Sequence, residues 1–401
     1  MSKNQRLALF VKDKDVINQI KKIISLSKLS IEIFILNKID DIDTIDKKNI
    51  DYVLVDQDIE GENFQAVLLG INQLYPHVVR ILIAEKWSQE LVIMSNLMVH
   101  LIIEKTVLQD DLKSILHRAQ SMSNLLKEKE LVKMVNSFDN LPSIKTNYLE
   151  ILHLLKSSDS SLKKIGELIE NDIVLSAKVL QISNMSTYAR ASKVASVKQS
   201  VVYLGVNIIR ALIIHIQVFT FKSSNPLVYM YLNVLEKHSM LVAEYSKLFA
   251  EGLNMSRSFQ DDCFTAGLLH DIGKFVLINK MHRWDEINTL AENNNMHVYQ
   301  AEENELKITH AEIGAYLLGI WGFSAEVIDA VVYHHKPSKQ EEKKISVATF
   351  VHVAEAMINK DIINNREVFI NNLDIDYIEN LYIKNQILAV YDKITNVEKG
   401  E

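Results

Sequence analysis

The first 120 residues alternate between short apolar runs and longer amphipathic stretches. The apolar runs have the length of buried strands and lie at residues 7–11, 31–36, 52–55, 78–84 and 100–103. Stretches with apolar residues at helical spacing separate them, at residues 14–27, 62–75, 88–97 and 108–119. Strands that alternate with helices in this way predict an α/β domain over residues 1–120, with a doubly wound parallel sheet.

The pattern then changes to apolar residues three and four positions apart, which is typical of helices. A charged stretch at 121–140 is predicted to be a helical linker, and Leu141-Pro142-Ser143 ends it. We expect an all-α domain at 141–338 and a helical extension at 339–401, with helices at 344–360 and 374–394. The chain is therefore predicted to have an α/β domain followed by an all-α domain.

Composition excludes several classes of protein. The chain is mildly acidic, with a net charge of −7, and no region is basic enough to suggest direct nucleic-acid binding. Cys263 is the single cysteine, so the chain has no internal disulfide and no thiolate metal cluster. The N-terminus lacks the apolar run of a secretory signal, and no uncharged apolar stretch reaches the roughly 18 residues of a membrane span. These features predict a soluble cytoplasmic protein that does not enter a membrane.

Charged residues follow three of the predicted strands at the edge where ligands of such folds bind. Asp56 ends the third strand, Lys105 follows the fifth, and Lys12-Asp13 follows the first. This arrangement resembles the receiver domain of two-component response regulators. The resemblance implies that Asp56 accepts a phosphoryl group, that Lys105 pairs with it, and that an acidic pair after the first strand binds Mg²⁺.

The receiver pattern is incomplete in this chain. Lys12 replaces one of the two Mg²⁺ carboxylates, Ile83 stands where the family has a hydroxyl although Ser88 is nearby, and Thr106 replaces a proline. A Lys12 ammonium beside Asp56 would supply the charge of the metal. The domain is thus either a pseudo-receiver that serves in docking or dimerisation, with Mg²⁺ binding in doubt, or a receiver that is still phosphorylated at Asp56.

The run from Ala266 to Lys274 places His270-Asp271 at the end of an apolar helix. Lys274 follows one helical turn after His270, so it can face the same pocket and contact an anion. Four further histidines could share this site: His238, His310, His334 and His335. Neutral imidazole and carboxylate groups that converge from several helices can bind a divalent metal such as Fe, Mn, Mg or Zn. Taken alone, His238 and His310 are each more typical of a buried cap or a solvated helix residue than of a metal ligand.

Several blocks of sequence resemble the HDOD domain, a bacterial signalling relative of the HD phosphohydrolases, in the order in which that family carries them. Residues 170–184 and 196–205 match its first two helical segments, and 267–274 is the His-Asp signature. Residues 310–321 and 333–335 complete the match. The resemblance implies that His238, His270 and Asp271 are metal ligands together with a later aspartate, whose position is occupied by Glu355.

Two departures bear on activity. Glu355 is one methylene longer than the family's aspartate, and the Gly-Tyr-Pro motif of the cyclic-dinucleotide phosphodiesterases is missing after His335. Family members usually act as signalling outputs. The leading hypothesis is therefore a signal-transduction protein, related to response regulators, whose HDOD domain acts through protein contacts. The predicted partners are signalling proteins such as a histidine kinase, and a second copy of the chain in a homodimer.

The alternative is a metal-dependent phosphohydrolase for a nucleotide or cyclic dinucleotide, in which Lys274 contacts the phosphate. A third interpretation is a sensor that binds a metal or nucleotide without turnover.

Overall fold

A computed structural model describes the chain over residues 5–27, 30–44, 50–59, 63–75, 77–85, 99–109, 112–117, 119, 148, 151, 154–155, 162–185, 188, 194–219, 225–278, 283–358 and 365–399. The chain divides into two compact units. One comprises Met1–Asp139 and Tyr316–Ile328, and the other comprises Asn140–Ala315 and Asp329–Glu401. The predicted linker at 121–140 and the predicted helix at 88–97 lie outside the described residues.

The N-terminal region contains a parallel sheet of five strands in the order β2-β1-β3-β4-β5. The strands are β1 (Gln5–Phe10), β2 (Ile31–Ile35), β3 (Tyr52–Asp56), β4 (Val79–Ala84) and β5 (Leu101–Glu104). The inner strands β3 and β4 are buried at every position, because helices cover both faces of such a sheet. The predicted α/β fold is confirmed, and each strand lies within two residues of its predicted position.

Two described helices of this region are α1 (Lys14–Leu26) and α2 (Phe64–Leu74). The buried residues of α1 recur every three or four positions, as the sequence pattern requires. Asp13 caps this helix, since its carboxylate accepts hydrogen bonds from the amides of Asp15 and Val16. The 3₁₀ helix at Ile39–Thr44 was not predicted.

The described residues from 162 onwards are mostly helical, as predicted. The helices are α3 (Leu162–Glu170), α4 (Ile173–Ser183), α5 (Val197–Phe219), α6 (Pro226–Gly252), α7 (Arg257–Leu269), α8 (Ile272–Val276), α9 (Trp284–Asn293), α10 (Val298–Leu306), α11 (His310–Ile320), α12 (Ala325–Tyr333), α13 (Val347–Met357), α14 (Arg366–Asn371), α15 (Ile375–Asn380) and α16 (Lys384–Lys399). The single helix predicted at 374–394 is wrong: Tyr382 adopts a left-handed φ of 57° and separates α15 from α16.

Among the helices that the structure describes, α5 alone has the length and apolar composition to cross a membrane. Gly205 interrupts it with a φ of 80° that glycine adopts at no steric cost. Because 61% of its most apolar window is already buried inside the protein, α5 has the character of a core helix.

Candidate metal centre

Three helices bring together two imidazoles and a carboxylate. His238 lies on α6, His270 directly follows α7, and Glu355 lies on α13. The Nε2 atom of His238 is 2.9 Å from Glu355 Oε2 and 3.3 Å from His270 Nε2. His270 Nε2 is also 3.3 Å from Glu355 Oε2. These three residues, the first trio, present ligand atoms within 4.8 Å of one another.

Three further histidines form a second trio in the same unit. His310 begins α11, and His334 and His335 follow the end of α12. The Nε2 atoms of His310 and His335 are 3.1 Å apart. Ligand nitrogens of the second trio also lie within 4.8 Å of one another. A third group of potential ligands, His270, Asp271 and His334, shares one histidine with each trio and connects them.

The buried carboxylate of Asp271 lies between the two trios. Its Oδ2 atom is 3.2 Å from His270 Nε2 and 3.5 Å from His238 Nε2. Its Oδ1 atom is 3.1 Å from His310 Nε2 and 3.9 Å from His334 Nε2. Lys274 Nζ donates a hydrogen bond of 2.6 Å to Oδ2. Each trio thus lies beside a different oxygen of one carboxylate, so Asp271 could provide a ligand atom to a cation at either trio.

Two glycines of the His-Asp run allow the helices to approach closely. A Cβ atom on Gly267 would lie 2.8 Å from Ala243 Cα, so the absence of a side chain lets α7 pack against α6. A Cβ atom on Gly273 would lie 1.9 Å from the carbonyl oxygen of His310. Glycine at these positions therefore brings His238 towards His270 and His310 towards Asp271.

Hydrogen bonds at Nδ1 orient three of the imidazoles. The Nδ1–H groups of His270 and His334 each donate to a backbone carbonyl at 2.7 Å, of Gly267 and Val331 respectively. His310 Nδ1 lies 2.7 Å from a carboxylate oxygen of Glu302. Because carbonyl and carboxylate oxygens accept from a protonated Nδ1, the Nε2 atoms are left to face the centre.

The charges of the centre are strongly coupled. Burial opposes the ionised forms, but the Asp271 and Glu355 carboxylates outweigh it and raise the pKa of His270 to about 10. Likewise, the neighbouring cations hold the pKa values of Asp271 and Glu355 well below their usual range despite burial. Burial and the adjacent imidazoles lower the pKa of His334 and His335, which keeps both rings neutral. Metal binding would displace the proton of His270.

The donor set fits divalent cations. Asp271 Oδ1, His334 Nε2 and Glu355 Oε2 are buried and have no hydrogen-bond partner among the described residues. Buried polar atoms usually have partners, so these unsatisfied ligand atoms of the centre indicate a missing ligand. Tetrahedral ligands at Zn–N distances of ~2.0–2.1 Å lie about 3.3 Å apart, and the separations of 2.9–3.3 Å in the first trio are close to this value.

Residues 141–337 match the family model of the HDOD domain. This chain contains an HDOD domain. His238, His270, Asp271, His310, His334 and His335 lie within the match, whereas Glu355 lies beyond its end.

Several known proteins are similar to parts of this chain. A Treponema pallidum protein is 23% identical over 221 residues, which are 54% of this chain and 42% of that protein. Ribonuclease Y from Deinococcus radiodurans is 32% identical over 109 residues, 27% of this chain and 14% of the enzyme. The chain therefore spans less than half of either relative. A solved HDOD domain protein from Geobacter sulfurreducens covers 67% of this chain and 96% of its own, with 22% identity and a TM-score of 0.47.

All seven ligands predicted around the His270-Asp271 pair lie together in the unit that comprises Asn140–Ala315 and Asp329–Glu401, and Lys274 is bonded to Asp271. Their ligation of a metal stays a prediction. Away from the centre, His215 is buried and His297 is exposed, whereas His153 and His282 lie outside the described residues.

Two polar residues behind the centre were missed by the sequence reasoning. Glu302 on α10 is fully buried and accepts hydrogen bonds from the amide and Nδ1 of His310. His352 on α13 is buried and bonds the backbone carbonyl of His334. His352 lies three residues before Glu355, a spacing that places both on one helix face and could have identified it.

The receiver-like residues are partly brought together in the other unit. Lys105 Nζ lies 3.1 Å from both the buried Asp56 carboxylate and Asp58 Oδ2, and it also bonds Glu85. Lys105 thus pairs with Asp56, as the resemblance to a receiver implies, and the contact of Lys12 with Asp56 stays a prediction. The carboxylate of Asp13 caps α1, and Ser88 lies outside the described residues. Phosphorylation of Asp56 and Mg²⁺ binding remain predictions.

Proposed function

We propose that this protein is a signalling protein whose HDOD domain holds two divalent cations and hydrolyses a phosphoester of a nucleotide or cyclic dinucleotide. One observation carries the proposal: the two oxygens of Asp271 face two separate trios of ligand atoms. The relationship to a ribonuclease over 109 residues supports phosphoester chemistry. An α/β domain with a buried aspartate at its ligand-binding edge supports a role in signalling.

The residues of the chain have distinct roles in this proposal. The first trio would hold one cation, the second trio the other, and Asp271 both. Bound divalent ions supply Lewis-acid polarisation of a phosphoryl oxygen and lower the pKa of water. The side chains of His238 and Glu355 are each 23% exposed, so a substrate would reach the centre from the first trio. Lys274 is charged and partly exposed, and its ammonium would pair with a phosphoryl oxygen.

Metal analysis of the full chain tests the proposal. The protein is stripped of metal, reloaded with Mn²⁺ or Fe²⁺, and assayed for bound metal and for hydrolysis of a nucleotide, a cyclic dinucleotide and a short RNA. We expect two cations per chain and hydrolysis of at least one substrate. Asp271→Asn should lose both, because the bridging carboxylate is gone, whereas Asp376→Asn should retain both, because Asp376 is an exposed residue of α15.

A second candidate function is signalling through protein contacts without a metal. It is favoured by the Lys274 ammonium and the His270 imidazolium, which already balance the Asp271 and Glu355 carboxylates. Under this candidate the purified chain binds no stoichiometric Mn²⁺, Fe²⁺ or Zn²⁺, and chelators leave its melting temperature unchanged. A protein that binds two cations would instead be stabilised by about 2.7 kcal/mol for each occupied site at a free concentration of one hundred times Kd.

A further inference from the structure

His352 connects the second trio to the segment that follows the HDOD match. Its Nδ1 atom is 2.8 Å from the carbonyl oxygen of His334, and its Nε2 atom is 2.8 Å from the backbone nitrogen of Asp374. A carbonyl only accepts and an amide only donates, so the ring must be protonated at Nδ1 and unprotonated at Nε2. We infer that His352 is a positioning residue that fixes the His334–His335 pair, and that Asp374 completes this support. The inference rests on the proposed metal centre.

The pair needs such support because of its place in the chain. Helix α12 ends at Tyr333, so His334 and His335 lie where backbone carbonyls lack partners within the helix. His352 provides the partner for the carbonyl of His334. The ring of His334 donates to Val331 and directs Nε2 towards Asp271. Holding both the backbone and the ring of His334 defines the direction of its ligand nitrogen, and metal sites are sensitive to such outer contacts.

The same helix also serves the first trio. Glu355 follows His352 on α13 and lies 2.9 Å from His238. A single element therefore provides a ligand for one trio and a support for the other. The two roles can be separated by substitution, because each depends on a different side chain. Since α13 and Asp374 lie beyond residue 337, the site extends past the family match.

Substitutions at His352 distinguish positioning from simple packing. His352→Phe keeps an aromatic ring in the buried space but removes both hydrogen bonds. His352→Asn places an amide near the position of Nδ1 and can still donate to His334. His352→Gln reaches the position of Nε2 and keeps the contact with Asp374 instead. If His352 positions His334, the metal affinity of His352→Asn should stay closest to that of the wild type. The affinities of His352→Phe and His352→Gln should differ from it.

The test is a calorimetric titration of the metal-free full chain with Mn²⁺. We expect His352→Phe to weaken one of the two equivalents about 10- to 100-fold and to leave the other unchanged. Glu355→Gln should weaken the opposite equivalent, and circular dichroism should show native helix content in both variants. Equal weakening of both equivalents by His352→Phe, or no weakening, would overturn the inference. If His352→Phe does not fold, the other two variants provide the same test, because His352→Asn should bind this Mn²⁺ equivalent more tightly than His352→Gln.

Absence of metal binding in the wild type would refute the proposed function without deciding the positioning role. That role is then read from imidazole ¹⁵N–¹H spectra of the metal-free chain. We expect the ring signals of His334 and His335 to shift in His352→Phe and to shift less in His352→Asn. Unchanged ring signals in His352→Phe would contradict the inference.

Discussion

Glu302 accepts two hydrogen bonds from His310, one from the backbone amide at 2.8 Å and one from Nδ1 at 2.7 Å. Both groups are fully buried. The carboxylate therefore fixes both the start of α11 and the direction of His310 Nε2. Carboxylate–histidine pairs of this kind are common behind metal ligands, where they increase the basicity of the imidazole.

Replacing Glu302 by alanine should weaken the second metal equivalent about 10- to 100-fold, because His310 loses the group that orients it. It should also destabilise the fold by about 1–3 kcal/mol, because two buried donors lose their acceptor. Metal titration and urea unfolding measure these effects. Glu303→Ala, at the exposed neighbouring position, is the control and should change neither. Unchanged metal affinity in Glu302→Ala would show that His310 is held by other contacts.

The sequence predicts the strands, helices and ligand histidines more completely than it predicts the buried residues that orient those histidines. Strands β3 and β4 could be located because both are apolar at every position except for Asp56 and Arg80. The ligand histidines could be grouped because their blocks follow the order of a known family. Glu302 could not be distinguished from Glu303 and Glu305 in the same run, since only the fold shows which carboxylate faces His310.

Gly273→Ala should destabilise the fold and distort the metal centre, because Gly273 lies where α8 contacts the start of α11. The added Cβ would lie 1.9 Å from His310 O, a backbone atom that cannot move without shifting the start of α11. We expect the free energy of unfolding to fall by at least about 1–3 kcal/mol, as in other overpacked cores. The metal occupancy should also be lower. Gly314→Ala is the graded comparison, because its nearest contact would be 3.2 Å, and it should cost less. The opposite order in thermal unfolding would contradict this prediction.

His215 should make the protein sensitive to acid. The ring is fully buried on α5, neither nitrogen has a hydrogen-bond partner among the described residues, and burial lowers its pKa to about 3. An unfolded histidine titrates near ~6.5, so between pH 6.5 and 3 the unfolded chain takes up a proton that the folded chain excludes. The free energy of unfolding should therefore fall as the pH falls, by up to about 1.4 kcal/mol per pH unit from this residue.

Replacement of His215 by leucine isolates this contribution. The variant should gain more stability relative to wild type at pH 5 than at pH 8, because it has no proton to take up when unfolded. Guanidinium unfolding at the two pH values measures the difference. Ile214→Leu at the neighbouring buried position serves as the comparison, because it carries no titratable group and should change stability equally at both pH values. An equal effect of His215→Leu at both pH values would show that the ring is accessible to protons in the folded state.

Asp56 should not become phosphorylated when the full chain is incubated with acetyl phosphate and Mg²⁺. Lys105 lies 3.1 Å from its Oδ1 atom, and this same oxygen accepts the amide of Asp58 at 3.0 Å. The nearest acidic residue after β1, Asp13, uses its carboxylate to cap α1, and Lys12 occupies the neighbouring position of the family's acidic pair. Phosphoryl transfer to a carboxylate depends on cations that neutralise the transferred group, so losing a Mg²⁺ ligand removes much of that stabilisation.

Intact-mass analysis at neutral pH, with Asp56→Asn as the matched control, should show no acid-labile phosphate in either protein. A phosphate present in the wild type and missing in Asp56→Asn would instead identify the domain as a working receiver.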